Sequence, residues 1–274
     1  MTDIKRCVYM ISDGTGITVE SLSHSLMSQF ESITFEKKVY PFVDSMPKIN
    51  SICAEIQHYY ASHAVKPLVF MTLVNPKIRA CLKQTNACVF DLFDTFLSPL
   101  EAELGIKASD TVGRAHALAD NARYDERIDA VNFSLAYDDG VKLEGYERAD
   151  IILVGVSRCG KTPSCLYMAL QFGVFAANYP FTLDDLDKHS LPAVLKPYRS
   201  KLFGLTIDPM RLQSIRKERR PNTPYSSIEQ CRCEVREVEA LYQRERIQFL
   251  DSTHFSIEEI ATKIMSIVKV KRRI

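Results

Sequence analysis

The chain has no excess of charge of either sign, no long apolar run and no cysteine framework, and each absence removes a class of protein. Lys and Arg number 35 against 34 Asp and Glu, a net charge of +1, so no global field draws the protein to nucleic acid or to an anionic membrane. Any basic site must be local. No apolar stretch approaches the roughly 20 residues that span a bilayer, and the opening Met-Thr-Asp-Ile-Lys-Arg leads into a strand-like segment with no cleavable apolar region. The cytoplasm is therefore the expected compartment, with neither membrane nor nucleic acid as partner. The eight cysteines, Cys7, Cys53, Cys81, Cys88, Cys159, Cys165, Cys231 and Cys233, show no framework spacing in a chain of 274 residues and read as reduced thiols. Cys231-Arg-Cys233 is too tight for a zinc knuckle and lacks a second pair to complete one. There is no internal sequence repeat, no low-complexity linker and no Asn-Lys-x-Asp segment for reading guanine. What remains is a globular composition, 46% hydrophobic, with material for one large domain or two modest ones.

One stretch stands out against that background. Gly155-Val-Ser-Arg-Cys-Gly-Lys-Thr162 matches the phosphate-loop pattern G-x-x-x-x-G-K-[ST] at every fixed position. Its flanks are those such a loop needs: residues 149–155 form a nearly unbroken apolar run, as in a parallel strand covered on both faces. Pro163 suits a first helical turn, Leu166, Tyr167, Leu170 and Val174 recur at helical spacing, and Gly173 is a natural stop. In a loop of this kind Gly155 and Gly160 permit the backbone conformations that turn the N–H groups of Val156, Ser157, Arg158 and Cys159 inward, and the helix beginning near Thr162 adds its positive dipole end. Lys161 then reaches the terminal phosphates and the Thr162 hydroxyl takes a Mg²⁺ position. The competing reading is an ordinary strand-turn-helix connection. Cys159 is open to a redox role, because Lys161 and the helix dipole favour a thiolate, or is a tolerated loop filler.

The rest of the chain alternates strand and helix, which makes it an α/β protein. Strands are expected over 7–12, 39–43, 67–73 and from 87, and helices over 17–30, 48–61, 77–84 and 92–104, so residues 1–106 read as an N-terminal α/β domain of doubly wound type. Ser12-Asp-Gly-Thr-Gly16 lies at the carboxyl end of the first strand, where ligands bind in open sheets, or is a bare turn. Residues 107–147 read as a helical bridge whose helix over 123–137 has Ile128, Val131 and Leu135 on its apolar side. Arg114, His116, Arg123 and Arg127 are there either an anion-binding cluster or solvated surface. Residues 148–274 read as a C-terminal phosphate-loop nucleotide-binding-like domain, with strands over 174–179, 201–208 and 247–252, a helix over 226–243 burying Val235, Val238 and Leu241, and a last helix opened by a capping box of Ser256 and Glu259. Asp208 ends an apolar strand, from where an acid can hold Mg²⁺ or deprotonate an attacking hydroxyl; the alternative is an Asp-Pro turn capping the next helix. That helix carries Arg211, Arg216, Lys217, Arg219 and Arg220, a positive ridge suited to phosphate or to an acidic partner, or simply solvated. The Lys-Val-Lys-Arg-Arg tail reads as a frayed end.

With these segments in view, nearly the full length resembles the pyruvate, phosphate dikinase regulatory protein family, bifunctional kinase/pyrophosphorylases whose bacterial members regulate phosphoenolpyruvate synthase. The likeness runs through Val8-Tyr-Met-Ile-Ser-Asp-Gly-Thr-Gly16, Tyr124-Asp-Glu-Arg-Ile-Asp-Ala130, Asp138-Asp-Gly140, Gly155-Val-Ser-Arg-Cys-Gly-Lys-Thr-Pro163, Ala176-Ala-Asn-Tyr-Pro180 and Leu202-Phe-Gly-Leu-Thr-Ile-Asp-Pro209. The resemblance implies phosphorylation of a threonine on a target enzyme with ADP as donor, and its removal by inorganic phosphate with release of pyrophosphate. It places the nucleotide on Gly155 through Thr162, implies Mg²⁺, and favours phosphoenolpyruvate synthase over pyruvate, phosphate dikinase as the protein substrate. On that reading Asp208 orients the metal or accepts the threonine proton, and Arg158 or Arg211 stabilises charge on the moving phosphoryl group. A small-molecule kinase or ATPase and a GTP-controlled switch are the alternatives, and a homo-oligomer is compatible with the chain.

Overall fold

The alternating signals become two parallel sheets. The computed structural model describes residues 4–109, 121–188, 190–270 and 272–273, and the chain divides into two compact units, Met1–Ala117 and Leu118–Ile274. The first contains β1 (Ile4–Ser12), α1 (Ile17–Met27), β2 (Ile33–Tyr40), α2 (Met46–His63), β3 (Leu68–Thr72), α3 (Pro76–Lys83), β4 (Cys88–Asp91) and α4 (Leu92–Leu104). Its sheet has the order β2-β1-β3-β4 with every pairing parallel. Residues of β1 alternate between two cores: Cys7, Tyr9 and Ile11 pack with Ile49, Ile56 and Ile78, while Val8 and Met10 pack with Val19, Met27 and Leu92. Both faces are covered by helices, which is why the strand reads as a continuous apolar run. The second strand starts at Ile33, six residues before the segment expected from sequence. Glu36, Lys37 and Lys38 interrupt its apolar alternation, and it lies at the sheet edge, where charge is tolerated and discourages further pairing.

The second unit contains α5 (Asn121–Ala136), β5 (Ile151–Gly155), α6 (Lys161–Phe172), β6 (Ala176–Pro180), α7 (Leu183–Asp187), β7 (Leu202–Thr206), α8 (Pro209–Arg219), α9 (Ile228–Glu245), β8 (Phe249–Asp251) and α10 (Ile257–Val268). Its sheet order, β6-β5-β7-β8, repeats the topology of the first, again wholly parallel. In each sheet the chain moves outward on one side of its first strand and then crosses to the other, so the loop after that strand sits at the topological switch point, the usual ligand crevice of such sheets. These loops are 12–16 and 155–160. Each delivers a glycine in the left-handed region to the helix start, Gly16 (φ 84°, ψ −8°) and Gly160 (φ 95°, ψ 8°).

Two segments depart from the sequence reading. Helix α5, expected in a bridge, packs against α6 and β6 and belongs to the second unit. It buries Ala130, Phe133 and Ser134, leaving Ile128 and Leu135 exposed, because Phe133 stacks on Phe175 just before β6 (centroids 4.8 Å apart) and turns that face inward. Of the possible anion cluster, Arg114, His116 and the side chain of Arg123 lie outside the described residues, and Arg127 is exposed. The C-terminal tail is docked rather than frayed: Arg273 donates from Nη2 to Asp150 Oδ1 at 2.8 Å and from Nη1 to Gly173 O at 3.1 Å, and its guanidinium lies 4.1 Å from the Phe175 ring centroid. Arg273→Ala is expected to lower unfolding free energy by about 1 kcal/mol, read by urea denaturation, whereas a frayed end would show no change.

Candidate functional site

Strand β5 is buried along its whole length and ends on Gly155, where the loop turns away from the sheet. A Cβ on Gly155 would stand 2.5 Å from the Leu205 carbonyl oxygen and 2.9 Å from Cys159 Sγ, so only glycine lets the loop backbone approach β7 this closely. At Gly160 there is room for a side chain, and the positive φ alone requires glycine. Arg158 also has a positive φ, 78°, without being glycine. Such strain is characteristic of sites whose surroundings hold them in place for a purpose.

The loop opens onto a cavity of about 180 Å³ lined by Ser157, Arg158, Gly160, Lys161, Thr162 and Asp139. Lys161 is buried, its ammonium donating to the Val156 carbonyl at 2.8 Å, so the charge rests on the loop it serves. Thr162 Oγ1 donates to Asp138 Oδ1 at 2.8 Å. Asp138 and Asp139 are held by Asn178, fully buried on β6. Its side-chain amide donates to Asp138 Oδ1, its side-chain oxygen accepts from Asp139 N at 3.1 Å, and its backbone carbonyl accepts from Gly140 N at 3.1 Å and from the Tyr146 hydroxyl at 2.9 Å. Sequence reasoning gave Asp138 and Asp139 a place only at the end of the preceding helix and Asn178 only within a strand, with no catalytic or binding role. Their only signal was the appearance of Asp138-Asp-Gly140 and Ala176-Ala-Asn-Tyr-Pro180 among the segments of likeness.

The structure thus brings Arg158, Lys161 and Thr162 together around one cavity, while Asp208 and Arg211 line a different one. Asp208 is the N-cap of α8, its Oδ1 accepting from Arg211 N at 2.9 Å, and both residues line a wider depression of about 740 Å³ with Asp251, Thr253 and His254. No lining residue is common to the two cavities. In the first unit, Asp13 Oδ2 accepts from Val74 N at 2.6 Å, which ties loop 12–16 to the end of β3. Cys159 is fully enclosed. Burial pushes its thiol above the usual range, and the opposing pull of Lys161 does not reverse this, so the filler reading fits and a reactive thiolate does not.

A buried arginine supports the loop from below. Arg216 of α8 reaches Glu234 of α9 through both guanidinium ends (3.2 and 2.5 Å), donates to the carbonyls of Ser157 (3.2 Å) and Tyr225 (3.1 Å), and stacks on the Tyr225 ring at 4.2 Å. Tyr225 in turn places its hydroxyl 3.0 Å from Ser157 Oγ. From sequence Arg216 was one of five cations on a ridge; the fold takes it out of water. From the other side, Ser252 Oγ lies 3.0 Å from the Cys159 carbonyl.

A glycine loop between the central strand of a parallel sheet and a helix, with lysine and hydroxyl at the helix start and a carboxylate against the hydroxyl, defines an α/β protein of the nucleotide-binding type. The model of the kinase/pyrophosphorylase family matches residues 8–265. A phosphoenolpyruvate synthase regulatory protein of Legionella pneumophila (strain Corby) is 58% identical over 271 residues, 99% of this chain and 100% of its own. Proteins of the same name from Pseudomonas savastanoi pv. phaseolicola and Pseudomonas aeruginosa (strain LESB58) are 54% and 53% identical over 270 residues, 98% of this chain. The chain belongs to the kinase/pyrophosphorylase family, as its resemblance implied. Among the described residues no helix is long and apolar enough to cross a membrane.

Glu234→Ala leaves the Arg216 charge buried without its carboxylate, a change that costs about 3–5 kcal/mol where such pairs are broken. Urea denaturation is expected to show a loss of that order, with amide exchange at residues 156–158 accelerating more than in β1.

Proposed function

We propose that the chain is a bifunctional serine/threonine kinase and phosphorylase that regulates phosphoenolpyruvate synthase in the cytoplasm. It phosphorylates a threonine of that enzyme with ADP as donor and removes the group with inorganic phosphate, releasing pyrophosphate. The observation that carries this reading is the loop itself: a phosphate-sized cradle at a helix N-terminus, with Lys161 buried in it and Thr162 set against Asp138. Family membership supports phosphoryl and pyrophosphoryl chemistry, and the names of the relatives supply the target.

Phosphoryl transfer asks a protein for position and charge neutralisation more than for covalent chemistry. Loop N–H groups and the positive end of α6 hold the β-phosphate of the donor. Lys161, whose ammonium donates to the Val156 carbonyl, turns to it and offsets the charge that builds up in transfer. Asp138, oriented by Asn178, takes the proton from the incoming threonine. Arg158, exposed at the rim, faces the moving group. Among the described residues no three His, Cys, Asp or Glu converge to form a metal cage. Mg²⁺ needs none beside a nucleotide, since it is held by one or two carboxylates or hydroxyls together with phosphate oxygens, and Thr162 with Asp139, both lining the loop cavity, is such a donor set. When bound there it would neutralise phosphate charge. Asp208, by contrast, has a sufficient role as a helix cap.

The test is incubation of the protein with phosphoenolpyruvate synthase and β-labelled ADP, followed by phosphate, with label and threonine modification read by mass spectrometry. Label in the target, then in pyrophosphate, is expected. Label in pyruvate, phosphate dikinase alone redirects the target, and label in neither sinks the reading in favour of a small-molecule kinase. Lys161→Ala and Asp138→Asn should each lower transfer roughly 100-fold or more. Asp208→Ala should instead cost about 1 kcal/mol of stability, as a lost N-cap does, and leave most of the turnover.

A further inference from the structure

Beside the loop cavity lies a second one of about 210 Å³, lined by Arg158, Arg219, Arg220, Tyr225 and Ser157. Two of these residues, Ser157 and Arg158, also line the first, so the two cavities share a wall. The charges there differ in kind from Arg216 one turn earlier on α8, which is consumed by Glu234. Among the described residues no carboxylate pairs with the guanidinium of Arg158, Arg219 or Arg220, and all three are exposed. The wall they stand on is nonetheless fixed: Tyr225 is stacked on buried Arg216 and bonded to Ser157 Oγ, and the Arg220 carbonyl accepts from Ser226 Oγ at 2.9 Å. Three guanidiniums without a carboxylate partner among the described residues, on a wall held by these bonds and with Tyr225 beside them, form a site for a multiply charged oxyanion, since the guanidinium fork matches phosphate oxygens in pairs.

We propose that this arginine cavity is a second phosphate subsite, which takes inorganic phosphate in the reverse direction while the adjoining glycine loop holds the phosphoryl group being removed. The assignment rests on the reading of the site as a kinase/phosphorylase. In the step concerned, an oxygen of inorganic phosphate attacks the phosphorus of phosphothreonine. The bond from phosphorus to threonine Oγ breaks, a P–O–P bond forms, and the threonine oxygen takes up the proton that the attacking hydrogen phosphate gives up. Two phosphoryl groups must therefore lie side by side, and at ordinary pH they repel. Arg158, which contributes to both cavities, stands where it can offset that repulsion, and this gives its left-handed backbone a reason: the strained conformation carries one side chain along the wall between two anions.

The test compares wild-type protein with the double variants Arg219→Ala/Arg220→Ala and Arg219→Lys/Arg220→Lys, whose altered side chains are exposed and carry no described bond. Calorimetric titration with inorganic pyrophosphate, inorganic phosphate and ADP is read first, since it needs no turnover. The alanine pair is expected to weaken pyrophosphate and phosphate at least tenfold more than ADP, with partial recovery in the lysine pair, and to raise KM for phosphate in dephosphorylation by a similar factor. Equal loss for ADP would make the arginines nucleotide contacts and overturn the proposal. So would unchanged phosphate affinity, or a rise confined to KM for the phosphorylated target. If wild-type protein transfers nothing to phosphoenolpyruvate synthase yet shows arginine-dependent pyrophosphate binding, the functional reading falls and the subsite stands. Transfer with arginine-independent pyrophosphate binding is the reverse case.

Discussion

The conformation of the glycine loop rests on one guanidinium removed from water. Burying the Arg216 charge is unfavourable by itself, and the fold offsets it with the two-pronged contact to Glu234, two backbone carbonyls and the face of Tyr225. One of those carbonyls belongs to Ser157, in the loop. The loop is poorly suited to holding its own shape: it presses Gly155 against the Leu205 carbonyl and holds Arg158 in the left-handed region. A segment under that strain persists when its surroundings over-determine it, and here Arg216 and Tyr225 act on one side and Ser252 on the other. Because the supporting cation comes from α8 and its counter-ion from α9, the geometry of the loop depends on how those two helices pack.

The two units share one topological plan and use it differently. In both, a loop leaves the carboxyl end of the strand at the switch point and enters a helix through a left-handed glycine. In the first unit that loop is stitched down, with Asp13 accepting from Val74 N, and the Ser12 and Gly14 carbonyls accepting from Val43 N and Phe42 N. The Asp13 carboxylate and the Ser12 and Gly14 carbonyls are thereby engaged within the unit. In the second, the loop is longer, its lysine is enclosed within it, and its neighbouring arginines lack carboxylate partners among the described residues. One plan therefore yields a loop tied to neighbouring strands in one unit and a loop beside a lysine and several arginines in the other.

Much of the fold was legible because its signals are local. Buried parallel strands are short apolar runs, and β5 and β7 were read within a few residues; Gly173 and the Ser256/Glu259 capping box mark helix ends by the chemistry of one turn. Where an element meets its neighbours through an uncommon surface the reading slipped. Helix α5 has apolar residues on more than one side, and its aromatic partner Phe175 selects the face of Phe133. The tail composition is that of a solvated end, yet Arg273 finds Asp150 across 123 positions of chain.

The same division runs through the site. Residue order alone sufficed to set a glycine loop between β5 and α6 with Lys161 and Thr162 at the helix start, since G-x-x-x-x-G-K-[ST] is a contiguous pattern with a fixed place between strand and helix. It could not say which carboxylate stands against Thr162, because Asp138 and Asp208 are both acids near the end of an element, 24 positions before and 46 after that threonine. Nor could it separate Arg216, a buried prop, from Arg219 and Arg220, which face a cavity from the same short helix and its cap. Burial and partnership are properties of the packed chain: a charge's role follows from what surrounds it in space, and neighbours in space here are dozens of residues apart in sequence.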